Sequence, residues 1–342
     1  METRTLGRTG LAVSVLGFGC GAVGGLMVRG NPADQERAVA RAIDLGINYF
    51  DTAAMYGNGE SERNLGRVMK SLKPDIFVGT KVRVPDGERS RIGAAITASL
   101  EASLQRLQLE HVDLFQLHNH ITADGSDGGF TPETVLAEVV PAFERLRRQG
   151  KTRFCGITAV GGTPALHTVI DARAFDTAQV SYNLLNPSAG AAVELGYPAH
   201  DFGNLLAHTK NAEMGVINIR VLAAGALSGT EDRHPLGSPS VEPIGSGGSY
   251  RTDVERARRL ELLIREGHAE SLVDAALRFA IANDAVSTVL VGYSTLDNSK
   301  PPRARSTRVR CRVPGLIGLP NCNAALSASN VEREPAAVHR RE

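Results

Sequence analysis

The chain has 342 residues, a hydrophobic fraction of 42% and a formal net charge of +1, enough apolar material for one large core. The near balance of acids and bases gives no footing for a nucleic-acid partner or a membrane surface. No apolar run is long enough to span a bilayer, and the charged start Met1-Glu2-Thr3-Arg4 lacks a secretion signal, so a cytoplasmic location is expected.

Taken in chain order, the sequence repeats one pattern, a short β-rich run followed by an amphipathic helical stretch. Strands are predicted at Val13–Phe18, Ile47–Phe50, Ile76–Thr80, Val112–Leu117, Thr152–Ile157, Thr177–Ser181, Val216–Val221 and Ser287–Val291. Helices are predicted at Ala33–Leu45, Ser61–Ser71, Arg91–Leu107, Pro132–Gln149, Thr163–Ala172, Phe202–Glu213, Asp253–Arg265 and Ser271–Ala282. In the third of these, Ile92, Ile96, Leu100, Leu104 and Leu107 fall on one face. Strands alternating with helices imply parallel pairing through helical crossovers. Eight such units suit an α/β (β/α)8 TIM barrel; a doubly wound open sheet is the competing architecture.

Two segments break the pattern. Gly225–Thr252 is rich in Gly, Ser and Pro and follows the seventh strand, where it could fold over a ligand. From Ser299 onward the chain carries nine Lys or Arg against three Glu, and no helical stripe for an eighth crossover helix is visible. Residues 1–298 are therefore expected to form the barrel. Residues 299–342 are expected to be a basic, Pro- and Arg-rich tail, either disordered or the product of an altered reading frame.

In a barrel enzyme the chemistry sits at the carboxyl ends of the strands. After the second strand come Asp51 and then Tyr56, after the third Lys81, and after the fourth His118. Any one of these is weak evidence, because a lone Asp after a strand is commonly a helix cap and a lone Tyr or Lys a solvated side chain. Four together fit carbonyl reduction. Hydride addition leaves an alkoxide, which a phenol can protonate if a neighbouring ammonium stabilises the tyrosinate. Lys81 supplies that charge, Asp51 keeps it protonated, and His118 orients the carbonyl oxygen.

Around these residues the sequence resembles the aldo-keto reductases. The resemblance rests on Phe50-Asp51-Thr52-Ala53 with Tyr56-Gly57, Ser61-Glu62 and Leu65-Gly66, then Thr80-Lys81, Val112-Asp113-Leu114 to His118, and Gln179 to Tyr182-Asn183. Leu6-Gly7-Arg8-Thr9-Gly10-Leu11 resembles the family's N-terminal hairpin, which caps the barrel bottom. The resemblance implies NADP(H), with NAD(H) left open, a small carbonyl or alcohol substrate, and catalytic roles for Asp51, Tyr56, Lys81 and His118. It implies nicotinamide contacts from Thr158, Gln179 and Ser181 or Tyr182, and a pyrophosphate loop that includes Leu222, Gly225 and Leu227. It also implies an adenosine-phosphate site that includes Gly292, Ser294 and Asn298. Apart from the resemblance, the Gly-rich first loop is expected to shape the site, with the Gly19 to Gly21 backbone approaching the cofactor.

Departures from the pattern are visible too. Thr158-Ala159 stands where the family usually has Ser-Asn, which removes one amide contact worth about 0.5–1.5 kcal/mol. Arg220 stands in the strand where many members place an aromatic residue on the nicotinamide, and it is expected either to meet the cofactor instead or to form a structural salt bridge.

Rival readings are narrower. Gly19-Cys20-Gly21-Ala22-Val23-Gly24 matches GxGxxG, but Gly25, Gly30 and Pro32 follow, and no helix is expected before about Pro32. His118-Asn119-His120 matches the HxH of barrel metal hydrolases, yet the next two strands end in Thr158 and Gln179 rather than in ligands. The cysteines Cys20, Cys155, Cys311 and Cys322 lack metal spacing, and the first two are expected to be buried and inert. Lys81 could form a Schiff base, and the same barrel could serve as a non-catalytic NADP(H) sensor.

Overall fold

A computed structural model describes residues 1–243 and 248–295. Two short strands, β1 (Thr3–Thr5) and β2 (Ala12–Ser14), pair antiparallel as a hairpin, with Thr3 opposite Ser14 and Thr5 opposite Ala12. Eight parallel strands then close a barrel: β3 (Leu16–Gly19), β4 (Tyr49–Asp51), β5 (Phe77–Val82), β6 (Val112–Leu117), β7 (Thr152–Thr158), β8 (Thr177–Ser181), β9 (Gly215–Ile219) and β10 (Val286–Gly292). Each pairs with its sequence neighbours, and β10 returns to pair with β3. The sheet is closed, so the open doubly wound alternative does not hold.

The run expected as one strand, Val13–Phe18, is divided between the two sheets. Ser14 Oγ donates to Leu16 O at 2.6 Å, and Val15 N–H leaves the barrel to pair with Glu2 O at 3.0 Å. Val13 joins the apolar floor while Leu16 and Phe18 face the helical shell, so the buried side changes across that kink.

The helices are α1 (Leu26–Arg29), α2 (Pro32–Asp44), α3 (Glu60–Leu72), α4 (Ile92–Leu107), α5 (Pro132–Thr134), α6 (Val140–Arg148), α7 (Thr163–Asp171), α8 (Leu205–Asn211), α9 (Tyr250–Arg259), α10 (Leu262–Arg265) and α11 (Leu272–Ala282). The stripe of α4 is buried as expected. Asn31 caps α2 by accepting from Asp34 N–H at 2.9 Å, with Pro32 at the first helical position where its missing N–H costs nothing.

Some boundaries differ from the sequence reading for local reasons. A single turn, α1, does precede Pro32, started by Gly25 in the left-handed region. The stretch 132–149 is interrupted by a π turn at Val135–Val139, just ahead of Pro141, which has no N–H to return to the preceding turn. Asn204 at φ 56° delays α8. No helix among the described residues is long and apolar enough to cross a membrane. The tail 299–342 and Asn298 lie outside the described residues.

The hairpin plugs the amino end of the barrel. Leu6, Leu11 and Val13 pack on Tyr49, Leu114 and Ile217 from inside the strands. Contact at this floor is close: a Cβ on Gly7 would sit 2.1 Å from Gly215 N and 2.5 Å from Met214 C, and Gly7 has φ 49°. Gly7→Ala is therefore expected to destabilise the protein by at least about 1 kcal/mol. Thermal unfolding should show a midpoint lowered by a few degrees; an unchanged midpoint would show that the floor is looser than described.

Candidate active site

Three neighbouring strands deliver the expected tetrad. Asp51 ends β4, Lys81 lies near the end of β5, and His118 follows β6. Register places Asp51 beside Gly79, Lys81 beside Gln116 and Val82 beside Leu117. His118 N–H donates to Val82 O at 2.7 Å, extending that pairing by one residue.

Tyr56 comes from the turn between β4 and α3. That turn is pinned beneath by Ser61 Oγ, which donates to Cys20 O at 2.9 Å and shares a 2.8 Å hydrogen bond with Thr52 Oγ1. Glu62, fully buried, accepts from Thr80 Oγ1 at 2.5 Å and from Arg106 Nε at 2.6 Å. The Ser61-Glu62 pair thus ties the tyrosine loop to β3, β5 and α4.

At the centre, the Lys81 ammonium is buried and donates to Asp51 Oδ1, to Thr52 O at 2.8 Å and to Tyr56 Oη at 3.4 Å. It also lies 4.9 Å from the centre of the Tyr56 ring. The other carboxylate oxygen, Asp51 Oδ2, accepts from Gln179 Nε2 at 2.8 Å, Tyr49 Oη at 3.0 Å and Gln116 Nε2 at 3.2 Å. Burial by itself would favour neutral Lys81; the Asp51 carboxylate, the Tyr56 oxygen and their hydrogen bonds outweigh it, and the net shift is upward. The Tyr49 phenol is pushed well above its ordinary range by burial and by Asp51, so it stays a donor.

His118 stands edge-on to Tyr56, with ring centres 6.0 Å apart and planes at 84°. Burial, followed by the charges of Lys81 and Arg83, pushes its imidazole down to about 3. It is neutral at working pH, and its buried Nδ1 has no hydrogen-bond partner among the described residues. Nearby, Asn119 is committed to structure, bonding Val84 N and O and Gly128 O. No cluster of three metal-binding side chains exists among the described residues, and the HxH pair gains no further ligand.

The expected cofactor residues divide into groups. Thr158 and Ser181 are buried at the ends of β7 and β8, and their hydroxyls have no hydrogen-bond partner among the described residues. Gln179 pairs with Thr158 across β7 and β8, two residues before Ser181, but its amide nitrogen is taken by Asp51. The Tyr182 ring is buried against Phe279 of α11, with centres 4.7 Å apart. Gly21 borders the Tyr56 ring, 3.7 Å away from where a Cβ would stand, and Gly19 runs against Val291 O.

Beside the tetrad opens a cavity of about 690 Å³, with Arg220, Leu222, Gly225, Gly292 and Ser294 on its wall. None of the four tetrad residues lines it; Arg220, within electrostatic reach of Tyr56, links the two. The cavity's lower part runs between α2 and α11, past Leu45 and Leu277. Leu227 faces away, buried with Ala226 against α9 and α11. The backbone after β9 is left-handed at Arg220 (φ 60°), Ala223 (φ 46°), Ala224 (φ 58°) and Gly225 (φ 111°). Non-glycine residues in this region cost about 1–3 kcal/mol each and persist where the surroundings hold them. Here Asn183 Nδ2 and Ala223 N–H both donate to Arg220 O, at 2.9 and 2.8 Å. Tyr49 and Gln116 are the site residues that the strand-end reading missed. Both precede a tetrad residue by two positions on the same inward face, and that period was the available signal.

The family model described as "Aldo/keto reductase family" matches residues 15–300. The chain belongs to the aldo/keto reductase family. Among its relatives, L-galactose dehydrogenase of Arabidopsis thaliana is 32% identical over 312 residues, covering 86% of this chain and 85% of the relative. An aldo-keto reductase of Bacillus halodurans, solved in its holo form, superposes with a TM-score of 0.64 at 26% identity, covering 87% of this chain and 88% of the other. An aldo-keto reductase of Klebsiella pneumoniae, solved with NADPH, shares the fold with a TM-score of 0.60 at 20% identity, covering 87% of each chain. Cys20 and Cys155 are free and buried in this aldo/keto reductase, as expected of inert thiols, and burial pushes the Cys155 thiol up to about 12.

Neutral His118 has a measurable consequence. Its folded value lies below the ordinary 6.5, so on acidification the unfolded chain takes up this proton first. This contribution to stability is complete above about pH 6.5 and is lost progressively as the pH falls towards 3. In an NMR titration the His118 ring resonances should stay in the neutral position from pH 8 to about pH 5. A midpoint near 6.5 would contradict the site as described.

Proposed function

We propose that this aldo/keto reductase is an NADP(H)-dependent oxidoreductase that interconverts an aldehyde or ketone with its alcohol, using Tyr56 as the general acid. The observation that carries the reading is the placement of Lys81 Nζ, held by Asp51 on one side and 3.4 Å from Tyr56 Oη on the other. NADP(H), when bound, donates or accepts the hydride.

The protein's part is to bind, orient and move one proton. Neutral His118 offers a hydrogen bond to the carbonyl oxygen and fixes it beside Tyr56. As the carbonyl carbon gains the hydride, negative charge grows on that oxygen and the Tyr56 Oη proton moves to it. The phenolate formed faces a full ammonium at hydrogen-bond distance, and that ammonium is buried, so the interaction counts for more than in bulk water. Asp51 keeps that ammonium charged, and Gln179, Tyr49 and Gln116 satisfy Asp51 so that it does not turn to Tyr56. Alcohol oxidation runs through the same groups in reverse.

The cofactor reading has its own support. Among the described residues the buried hydroxyls of Thr158 and Ser181 have no partner, and a carboxamide, with one acceptor oxygen and two N–H donors, is a group that either could bind. Leu222, Gly225, Gly292 and Ser294 border the adjoining cavity, which is large enough for the rest of a dinucleotide to enter. The NADPH complex of the Klebsiella pneumoniae neighbour supports the choice of NADP(H). The relation to L-galactose dehydrogenase supports a polyhydroxylated, sugar-like carbonyl or alcohol as substrate. It also favours turnover over a purely sensory role, as does the complete tetrad.

Tyr56→Phe is expected to lower kcat with a reactive aldehyde by about 10²–10⁴-fold. NADPH affinity, followed by cofactor fluorescence, should stay within about threefold, because the hydroxyl is assigned no cofactor contact. Turnover within tenfold of the unmodified protein would show that the proton comes from elsewhere.

A further inference from the structure

The charges at the barrel mouth do not cancel. Lys81 and Asp51 form an ion pair, and His118 is neutral. Arg220, at the end of β9, adds a guanidinium that has no hydrogen-bond or ion-pair partner among the described residues. It is half-buried, lines the cavity beside the tetrad, and lies close enough to Tyr56 for a phenolate there to raise its basicity against the effect of burial. Its backbone is held at φ 60° by the two hydrogen bonds to its carbonyl, which fixes where the side chain leaves the strand end. Arg83, the next cation near His118, is exposed and screened by water.

Chemistry fixes where the nicotinamide ring has to be, on the reading that Tyr56 protonates the carbonyl. The hydride-bearing carbon must come within about 3.5 Å of the carbonyl carbon, whose oxygen is at Tyr56. The ring therefore lies within several ångströms of the Tyr56 hydroxyl, in the region that Arg220 borders. The ring carries a positive charge when oxidised and none when reduced. An uncompensated guanidinium there acts on one redox state only.

We propose that Arg220 makes the site discriminate between the redox states of its cofactor, holding NADPH more tightly than NADP⁺. This rests on the NADP(H) reading above. The remaining phosphates are the same in both states, so contacts to them cancel in the ratio of dissociation constants. Two unit charges about 6–8 Å apart at an effective dielectric near 20 repel enough for a ratio of tenfold or more. Tighter binding of the reduced form also raises the potential of the bound couple, by about 30 mV for each tenfold. The oxidised cofactor leaves more readily, which suits turnover in the direction of carbonyl reduction.

The test is binding, not turnover. Dissociation constants for NADPH and NADP⁺ are measured by calorimetry on the full-length chain, on Arg220→Met and on Arg220→Lys. The proposal expects an NADP⁺-to-NADPH ratio of at least tenfold in the unmodified protein, a fall to within about threefold of unity in Arg220→Met, and retention of most of the ratio in Arg220→Lys. A ratio near unity in the unmodified protein overturns it without recourse to any variant. Equal weakening of both forms in Arg220→Met overturns it as well, and assigns Arg220 to a phosphate. Failure of the unmodified chain to bind either nucleotide overturns the NADP(H) reading and this inference together, whereas binding of both with equal strength removes the inference alone.

Discussion

A buried ammonium has to be neutralised, and the way Lys81 is neutralised organises the whole mouth of this barrel. Asp51 takes the charge on one oxygen, and its second oxygen is saturated by donors from β4, β6 and β8. The ion pair cannot shift without breaking contacts to several strands at once. Burying such a pair contributes little net stability, but leaving either partner alone costs about 3–5 kcal/mol. What the arrangement secures is position: one N–H of Lys81 is left aimed at Tyr56 Oη.

The floor of the barrel takes part in this. Tyr49 has its ring among Leu6, Leu11 and Val13 of the hairpin plug and its hydroxyl on Asp51. The N-terminal hairpin is therefore packed against the residue that hydrogen-bonds the Asp51 carboxylate. At the other end, the tyrosine loop is tied down by Ser61 and Glu62, so the two groups that must meet, Tyr56 and Lys81, are fixed by separate anchors. A site built on strands and braced from below holds its distances without a bound ligand.

Much of this was legible in the sequence, and the limits have physical causes. Asp51, Lys81 and His118 stand out because a polar residue ends an apolar run, and closure of the barrel brings those ends together. Tyr49 and Gln116 sit within the runs and read as strand interior, although the two-residue period puts them on the same inward face. That period also separates Ser181, whose hydroxyl is unpartnered, from Tyr182, whose ring packs outward on Phe279. The kink at Ser14–Val15 was invisible because both halves of Val13–Phe18 are apolar; only the antiparallel pairing of the hairpin divides them. Arg220 was legible as an unusual residue, but its lack of a partner among the described residues is a property of three-dimensional packing. The expected roles of Asn298 and of the tail 299–342 fall outside the described residues.

The central claim is that Asp51 and Lys81 act as one unit, and a double-mutant cycle tests it most directly. Unfolding free energies would be measured by urea titration for the unmodified chain, Asp51→Asn, Lys81→Met and the double variant. The account predicts strong coupling, with the double variant less destabilised than the sum of the singles by about 2 kcal/mol or more. Additivity to within about 0.5 kcal/mol would contradict it, since the two groups would then not be holding one another in place.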